Sequence, residues 1–281
     1  MLTDNHQRTE GWVKQVNGLP APEHLARLRI PPAWTGVLVD PDPAAVVLAT
    51  GLDSAGRKQR LYSVQHLADA KAGKFERVRA LLTEWEDIRT QIEGDLNDPN
   101  EALYEQAIAA YLVYNTGMRP GSNADAALLT GIKAYGATTL QLRHVKRCAR
   151  GVRLKFVGKK GVRQNVLVTD PFLVRVFLRR KKATTAWTTP LFACSAGKLR
   201  EYVAGLGSGE YTPKDFRTAR GTSLALELLG SRKRLPSAKS RRKHIVNAAL
   251  DRVAKLLGNT RAISRSAYVD PIILERFLTK S

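Results

Sequence analysis

Gly258-Asn259-Thr260-Arg261-Ala262-Ile263-Ser264-Arg265-Ser266-Ala267-Tyr268 carries a tyrosine flanked by small residues, with two arginines just upstream. An apolar-periodic run at residues 244–257 precedes it and predicts a helix that leads into this segment. A free phenol has a pKa near ~10, so it is a poor nucleophile at neutral pH unless nearby positive charge favours phenolate. A phenol among cations can attack a phosphodiester and hold the product covalently. Most tyrosines in such positions only pack, so the role of Tyr268 depends on the rest of the chain.

The composition indicates a globular protein with a polyanionic partner. Hydrophobic residues make up 43% of the 281 residues, and 46 Lys and Arg outnumber 25 Asp and Glu, giving a net charge of +21. Such an excess opposes compaction by self-repulsion and usually marks a surface that binds a polyanion. We expect nucleic acid first and an anionic membrane surface second. No apolar run approaches the ~18 residues of a spanning helix, so we expect no membrane insertion.

The cysteines and histidines predict neither a disulfide framework nor a metal site. Cys148 and Cys194 are the only cysteines, and the five histidines lack metal-ligand spacing. Residues 1–6 show no apolar core of a signal peptide. We therefore expect an intracellular protein without a metal or cofactor, cytoplasmic and nucleoid-associated if its source is bacterial.

Residues 1–68 are predicted to form a small β-rich N-terminal domain. Two β-prone runs, 37–39 and 45–49, flank an Asp-Pro-Asp-Pro turn. After the next turn comes a basic, polar and aromatic segment: Arg57, Lys58, Gln59, Arg60 and Tyr62. This pattern suits contacts to phosphates and base edges, and it equally suits a solvated hairpin edge protected by charge.

From residue 69 the pattern becomes helical, which predicts a mainly α-helical domain over 69–281. Apolar residues at steps of three and four predict one amphipathic helix over 74–93, and a loop follows at 94–100. Composition alone would place a domain boundary in that loop, and the switch from a β to an α pattern near residue 68 is an equally good place for it. A further helix is predicted to end at Gly117, so that Arg119 follows in a constrained turn. Capping of helix carbonyls is the alternative role for Arg119.

Three later segments complete the prediction. Alternation at 152–156 and a return at 166–168 predict a hairpin with Lys159 and Lys160 in its turn, where lysines are commonly only solvated. Thr212-Pro213 predicts a helix start that places Lys214 and Arg217 on one face. Residues 231–243 hold seven basic residues in thirteen and predict an exposed connection along a phosphate backbone, or a solvated charge run.

The candidate catalytic residues form an unusual set, which in chain order reads Arg119, Lys159, Lys214, Arg217, Asn259 and Tyr268. No carboxylate cluster accompanies them, whereas metal-dependent nucleases and polymerases need acidic ligands for their ions. Metal-free phosphoryl transfer would instead rely on guanidinium groups to stabilise charge on the non-bridging oxygens.

With these residues in place, the chain resembles the type IB DNA topoisomerases of the small poxvirus and bacterial type. The motifs follow the family order and spacing over nearly all of the chain after residue 10. They are Ile30-Pro31-Pro32-Ala33-Trp34, Gly56-Arg57-Lys58-Gln59, Thr116-Gly117-Met118-Arg119-Pro120-Gly121, Gly136-Ala137-Thr138-Thr139-Leu140, Arg143-His144-Val145, Phe156-Val157-Gly158-Lys159, Lys214-Asp215-Phe216-Arg217-Thr218 and the segment that ends at Tyr268.

The resemblance implies an α+β protein. Its parts would be a small β-rich N-terminal domain and a mainly α-helical catalytic domain of the topoisomerase IB and tyrosine recombinase type, with a small β-hairpin sheet. The implied activity is relaxation of positive and negative supercoils of double-stranded DNA by a monomer, without ATP or a metal.

The resemblance also implies individual roles. Tyr268 would form a 3′-phosphotyrosyl link, Arg119 and Arg217 would stabilise the transition state, and Lys159, helped by Lys214, would protonate the leaving 5′-oxygen. Asn259 stands where poxvirus members have histidine, and its amide would donate a hydrogen bond to a phosphate oxygen.

The remaining expected DNA contacts are Arg57, Lys58, Gln59, Arg60, Tyr62, Lys160, Arg261 and Arg265. Arg60 replaces an aromatic residue of poxvirus members, which weakens the expectation of strict sequence preference. Arg261 stands where the family usually has proline and is expected to add a phosphate contact.

A tyrosine recombinase is the nearest alternative, because it shares the catalytic fold and the order of the catalytic residues. Recombinases usually carry His-x-x-Arg where this chain has Lys214-Asp215-Phe216-Arg217. A non-enzymatic DNA-compacting protein would explain the charge without explaining the ordered motifs. An RNA-binding module is less compatible, because no stacking-aromatic motif is present.

Overall fold

The computed structural model describes residues 1–121, 133–230 and 236–279. The chain divides into two compact units, Met1–Lys74 and Phe75–Ser281. Within the described ranges, helices occur together with three antiparallel sheets of three strands each, which confirms a mixed α+β architecture. The division falls inside a helix, a few residues beyond the predicted boundary at 68.

The first unit is built from short antiparallel strands. Their bounds, with those of one short helix, are β1 (His6–Thr9), β2 (Trp12–Val16), β3 (Leu19–Pro20), α1 (Glu23–Ala26), β4 (Thr35–Val39), β5 (Val47–Leu52) and β6 (Lys58–Tyr62). The sheets have the orders β1-β2-β3 and β4-β5-β6. Branched and long aliphatic side chains such as Val39, Leu25 and Ile30 are fully buried in its core.

The second unit holds most of the helices and the third sheet. The helices are α2 (Val64–Thr83, which begins in the first unit), α3 (Trp85–Asp95), α4 (Glu101–Thr116), α5 (Pro171–Lys182), α6 (Ala196–Ala204), α7 (Pro213–Gly230), α8 (Lys239–Leu257), α9 (Arg261–Ala267) and α10 (Pro271–Thr279). The strands are β7 (Val145–Cys148), β8 (Gly151–Val157) and β9 (Arg163–Val168), in that order in the sheet. The predicted hairpin is therefore confirmed, and β7 extends it.

The prediction of one continuous helix over 74–93 is wrong, because the helix is interrupted at Glu84, between α2 and α3. The Glu84 carboxylate accepts hydrogen bonds from the Ser208 amide at 2.8 Å and from the Tyr211 hydroxyl at 3.2 Å. Apolar residues continue on the same side across the break, so the periodicity alone does not reveal it. A contact 124 residues away in the chain sets the boundary.

The exposed connection predicted over 231–243 is also wrong in its second half, since α8 begins at Lys239. The Arg242 guanidinium donates to the Pro236 carbonyl at 2.6 Å and secures the first turn of the helix. Lys and Arg are good helix formers, so a basic run can continue a helix as readily as it can form a loop. Residues 231–235 of that prediction lie outside the described residues.

His144 lies buried next to the β7–β8–β9 sheet, with 6% of its surface exposed. Its Nδ1 accepts a hydrogen bond from the Gln141 amide at 3.0 Å, and its ring packs edge-on against Tyr135. Burial, followed by the charges of Arg143 and Lys146, lowers the pKa of His144 to about 4. The folded protein therefore holds this imidazole in its neutral form.

This burial predicts an acid-sensitive fold. The unfolded chain takes up a proton at His144 below pH ~6.5, whereas the folded chain does so only near its depressed pKa, so stability falls as pH drops through that window. We expect a loss on the order of 1–3 kcal/mol in the free energy of unfolding. Urea denaturation at pH 7 and pH 5 should show a smaller difference for His144→Gln than for wild type. The exposed His244→Gln is the matched control, and equal pH dependence in all three proteins would contradict the assignment.

Candidate active site

The end of α4 delivers Arg119 as predicted. Asn100 caps the start of α4, and Gly117 ends it in the left-handed conformation with φ of 64°. The turn that follows is fixed by the Ala137 amide, which donates to the Arg119 carbonyl at 2.8 Å. Gly121 lies against Gly136 so closely that a Cβ on Gly121 would lie 2.7 Å from the Gly136 nitrogen. The backbone on both sides of Arg119 is therefore held by local geometry.

Helix α7 presents Arg217 in its second turn. Thr212 caps this helix, with the Asp215 amide donating to Thr212 Oγ1 at 3.2 Å and the Thr212 hydroxyl donating to Asp215 at 2.7 Å. Pro213 occupies the first helical position, as predicted. Arg217 itself is 4% exposed, so its charge is buried inside the protein.

The Arg217 guanidinium joins the ends of two helices. It donates to the carbonyl of Gly117, the residue that ends α4, at 2.5 Å, and to the carbonyl of Leu257, the last residue of α8. Helix C-termini carry partial negative charge and unpaired carbonyls, so they stabilise a buried cation. Among the described residues, Arg217 therefore takes the carbonyl-capping role considered for Arg119, whose side chain donates to Asn259. Burial, followed by repulsion from Arg119, lowers the pKa of Arg217 to about 10, which leaves it charged at neutral pH.

Tyr268 lies beside this guanidinium. The Arg217 Cζ atom is 4.8 Å from the centroid of the Tyr268 ring, and Tyr268 is 9% exposed in the cluster formed by α7, α8 and α10. Burial alone would raise the pKa of the phenol. The charges of Arg217 and Arg119 and their hydrogen bonds outweigh burial, so the pKa of Tyr268 lies below its ordinary value. The arrangement favours phenolate at this position.

Asn259 stands between two helix ends. Gly258 ends α8 with φ of 59°, and Thr260 caps the start of α9, so the backbone of Asn259 is constrained on both sides. Arg119 donates to Asn259 Oδ1 at 2.7 Å. Because a guanidinium has only donors, this bond fixes the orientation of the amide. Asn259 Nδ2 is then buried with no hydrogen-bond partner among the described residues, and it remains available as a donor.

Lys159 reaches the same place from the β8–β9 hairpin. It lies in the turn Lys159–Gly161, is exposed, and lines one pocket together with Arg119 and Arg217. The other lining residues are Thr116, Met118, Tyr135, Gly136, Phe156, Gly158, Gln164, Val166, Leu256 and Leu257. Sequence reasoning missed Gln164, because nothing local in the sequence distinguishes it from a solvent-facing strand residue.

The structure therefore brings five of the six predicted catalytic residues together. Arg119, Lys159 and Arg217 line the pocket, while Asn259 and Tyr268 contact two of them. Lys214 lies exposed on the first turn of α7 and, within the described ranges, forms no hydrogen bond or ion pair with the other five.

The predicted DNA contacts of the first unit lie on and next to β6. Lys58 and Arg60 are exposed on the same side of the strand, and Tyr62 stacks on His66 with ring centroids 5.0 Å apart. Arg57 and Gln59 differ, because the Asp53 carboxylate accepts hydrogen bonds from both, at 3.0 Å and 2.8 Å. Their side chains are thus fixed by an intramolecular partner.

The predicted DNA contacts of the second unit are also of two kinds. Lys160 is exposed in the hairpin turn, and Arg265 is exposed on α9. Arg261 instead forms a bidentate ion pair with Asp251, with both N–O distances at 2.6 Å.

Over the part of the chain that the structure describes, no three His, Cys, Asp or Glu residues are grouped closely enough to hold a metal ion. No helix in that same part is long and apolar enough to cross a membrane. Three cations line one pocket, and an amide donor and a phenol contact two of these cations. This combination of groups is typical of an anion-binding site suited to phosphoryl transfer.

Comparison with known proteins identifies the class. The family model described as "Eukaryotic DNA topoisomerase I, catalytic core" matches residues 63–275. The chain therefore belongs to this family and is a type IB DNA topoisomerase, as its sequence resemblance predicted.

Two viral proteins are similar over most of their length. The chain is 29% identical over 273 residues to "DNA topoisomerase 1B" of Acanthamoeba polyphaga mimivirus, covering 91% of this chain and 79% of the relative. It is 23% identical over 264 residues to "DNA topoisomerase 1" of Rabbit fibroma virus (strain Kasza), covering 91% and 81%.

Proposed function

We propose that this protein relaxes positive and negative supercoils of double-stranded DNA, as a monomer and without ATP or a metal ion. It does so by cutting one strand through a transient 3′-phosphotyrosyl link to Tyr268 and then resealing it. The observation that carries the proposal is the buried Arg217 guanidinium beside the Tyr268 ring, together with the depressed pKa of the phenol. Membership of the topoisomerase I family supplies the substrate class.

In the proposed reaction, Tyr268 Oη attacks the scissile phosphorus and the bond to the 5′-oxygen breaks. Negative charge develops on the non-bridging oxygens as the pentacoordinate transition state forms. Arg217 still has Nε unpaired within the described part of the chain, and Arg119 lies in the same pocket, so both are available to that charge. Preorganised donors of this kind typically contribute ~10²–10³ in rate each.

Lys159 acts as general acid in this scheme. The leaving 5′-oxygen needs a proton, and an exposed ammonium at a hairpin tip can reach into a DNA groove to supply it. Lys214 assists from α7. Religation is the reverse reaction, with the 5′-hydroxyl attacking the phosphotyrosine, so the phosphodiester energy is conserved and no nucleotide is consumed.

The proposal assigns DNA binding to two groups of residues. Arg57, Lys58, Gln59, Arg60 and Tyr62 contact the duplex from the first unit. Lys160, Arg261 and Arg265 do so from the second, and Arg261 must exchange Asp251 for a phosphate.

Plasmid relaxation tests the function directly. Positively and negatively supercoiled plasmids are incubated with the protein in EDTA without ATP, and we expect both to become relaxed. Failure on both substrates, with DNA binding retained, would contradict the proposal. Recombinant products with little relaxation would favour the tyrosine recombinase alternative.

Asn259 gives a separate prediction. Removing the Nδ2 donor in Asn259→Ala should slow single-turnover strand cleavage roughly 10²-fold. Asn259→Asp should be slower still, because the carboxylate pairs with Arg119 and repels the phosphate.

Asn259→His keeps a donor at this position and is the matched control, which we expect to retain most of the cleavage rate. Equal rates for Asn259→Asp and wild type would contradict a phosphate-binding role for this amide.

A further inference from the structure

Gln164 fills a narrow space between two glycines on different elements. It lies on β9 opposite Phe156 of β8. A Cβ placed on Gly258 would lie 2.2 Å from Gln164 Oε1 and 2.7 Å from Nε2. A Cβ placed on Gly158 would lie 3.0 Å from Gln164 Cγ. Glycine at both positions therefore leaves room for this side chain to lie against the two backbones.

These two glycines immediately precede two proposed catalytic residues. Gly158 is followed by Lys159 at the hairpin turn, and Gly258 is followed by Asn259 at the end of α8. Gln164 also lines the pocket shared by Lys159, Arg119 and Arg217. One side chain thus spans the space between the hairpin and the rest of the catalytic centre.

Within the described part of the chain, the hairpin turn has few other contacts that fix its position. Val152, Leu154 and Val168 anchor the base of β8 and β9 in the core. Residues 159–163 are all exposed, so no buried side chain holds the turn itself. Nearer the turn, the Tyr135 amide donates to the carbonyl of Val157, the last residue of β8, at 2.7 Å. This bond holds the end of that strand.

We propose that Gln164 is a positioning residue for Lys159, and that its bulk between Gly158 and Gly258 holds the hairpin at the distance from which Lys159 protonates the leaving oxygen. This inference rests on the proposed function, because it concerns the same reaction. Arg119, Arg217 and Tyr268 are carried by α7 and by the ends of α4 and α9, outside the β8–β9 hairpin. Loss of Gln164 should therefore impair leaving-group protonation and spare the attack.

A sulfur leaving group separates these two steps. If a bridging sulfur replaces the 5′-oxygen at a mapped cleavage site, a thiolate leaves and needs no proton, so general-acid defects disappear. Single-turnover cleavage is measured on matched oxygen and sulfur duplexes. Lys159→Ala should be slower by ~10²–10⁴ on oxygen and close to wild type on sulfur.

For Gln164→Ala we expect roughly 10-fold to 100-fold slower cleavage on the oxygen duplex, with a near wild-type rate on sulfur. Gln164→Met keeps a long unbranched side chain and should cleave both duplexes nearly as fast as wild type. Asn165→Ala is the matched control, because it removes the neighbouring amide, which is exposed. If the alanine variant does not fold, Gln164→Ser carries the same comparison.

Three results would overturn the proposal: a wild-type rate for Gln164→Ala on oxygen, equal slowing on both duplexes, or a methionine variant as slow as alanine. Failure of sulfur to rescue Lys159→Ala would remove the general-acid assignment and this inference with it. Failure at Gln164 alone leaves the proposed function intact.

Discussion

Tyr268→Phe is expected to abolish strand cleavage, with a loss on the order of 10⁴-fold or more, because it removes the attacking atom. Phenylalanine keeps the ring that packs among α7, α8 and α10, so folding and DNA binding should change little. Relaxation assays and DNA-binding titrations on the same preparation measure the two properties.

Tyr104→Phe is the matched control for this result. It makes the same chemical change at a partly buried tyrosine outside the pocket, and it should relax DNA like wild type. Cleavage by Tyr268→Phe within tenfold of the wild-type rate would exclude Tyr268 as the nucleophile.

Arg217→Ala is expected to slow cleavage by at least ~10²–10³-fold. The substitution removes charge from the transition state, and it also lets the pKa of Tyr268 rise toward its ordinary value. The phenolate fraction at neutral pH then falls, so the cleavage rate of the variant should keep rising further into the alkaline range than that of wild type. A pH–rate profile of single-turnover cleavage measures both effects.

The free energy of unfolding of Arg217→Ala must be measured together with its cleavage rate. Without Arg217, the carbonyls of Gly117 and Leu257 lose their donor, which costs about 1–3 kcal/mol for each buried group left unpaired. Arg217→Lys keeps a charge but cannot donate hydrogen bonds to both carbonyls in the geometry of a guanidinium, so we expect partial activity at best.

Arg180→Lys changes another arginine that donates to a carbonyl, that of Leu191, outside the pocket. It should lower stability without slowing cleavage by the folded enzyme. An Arg217→Ala variant that is less stable but cleaves at the wild-type rate would contradict the catalytic role.

The parts of the site that could be predicted from sequence are those set by local chemistry. Gly117 ends α4 because glycine adopts positive φ at low cost, and Thr212-Pro213 starts α7 by capping and a fixed φ. These signals alone place Arg119 just after one helix and Arg217 early in another. The hairpin that carries Lys159 follows from alternation in the same way.

The contacts that assemble the site could not be predicted, because they join distant parts of the chain. Arg119 and Asn259 are 140 residues apart, and Arg217 lies 100 residues from the carbonyl of Gly117. The space between Gly158 and Gly258 filled by Gln164 has no sequence signature at all. Long-range contacts also explain the break at Glu84 that periodicity failed to indicate.

Prediction from sequence is limited in the same way for the basic residues. A sequence reveals that Arg57 and Arg261 are cationic, and it cannot reveal that each already has a carboxylate partner in Asp53 or Asp251. The side chains of both arginines are about half exposed, and ion pairs at the protein surface are weak, so a phosphate can compete for these arginines.

The position and polarity of the covalent link to DNA test the central claim most directly. A duplex labelled on the 5′ end of the cleaved strand is trapped with the protein under denaturing conditions, and the attached peptide is identified by mass spectrometry. We expect the 5′-end label to remain on the protein, the adduct to lie on Tyr268, and the released strand to carry a 5′-hydroxyl. Capture of the 3′-end label, or an adduct on another residue, would contradict the mechanism.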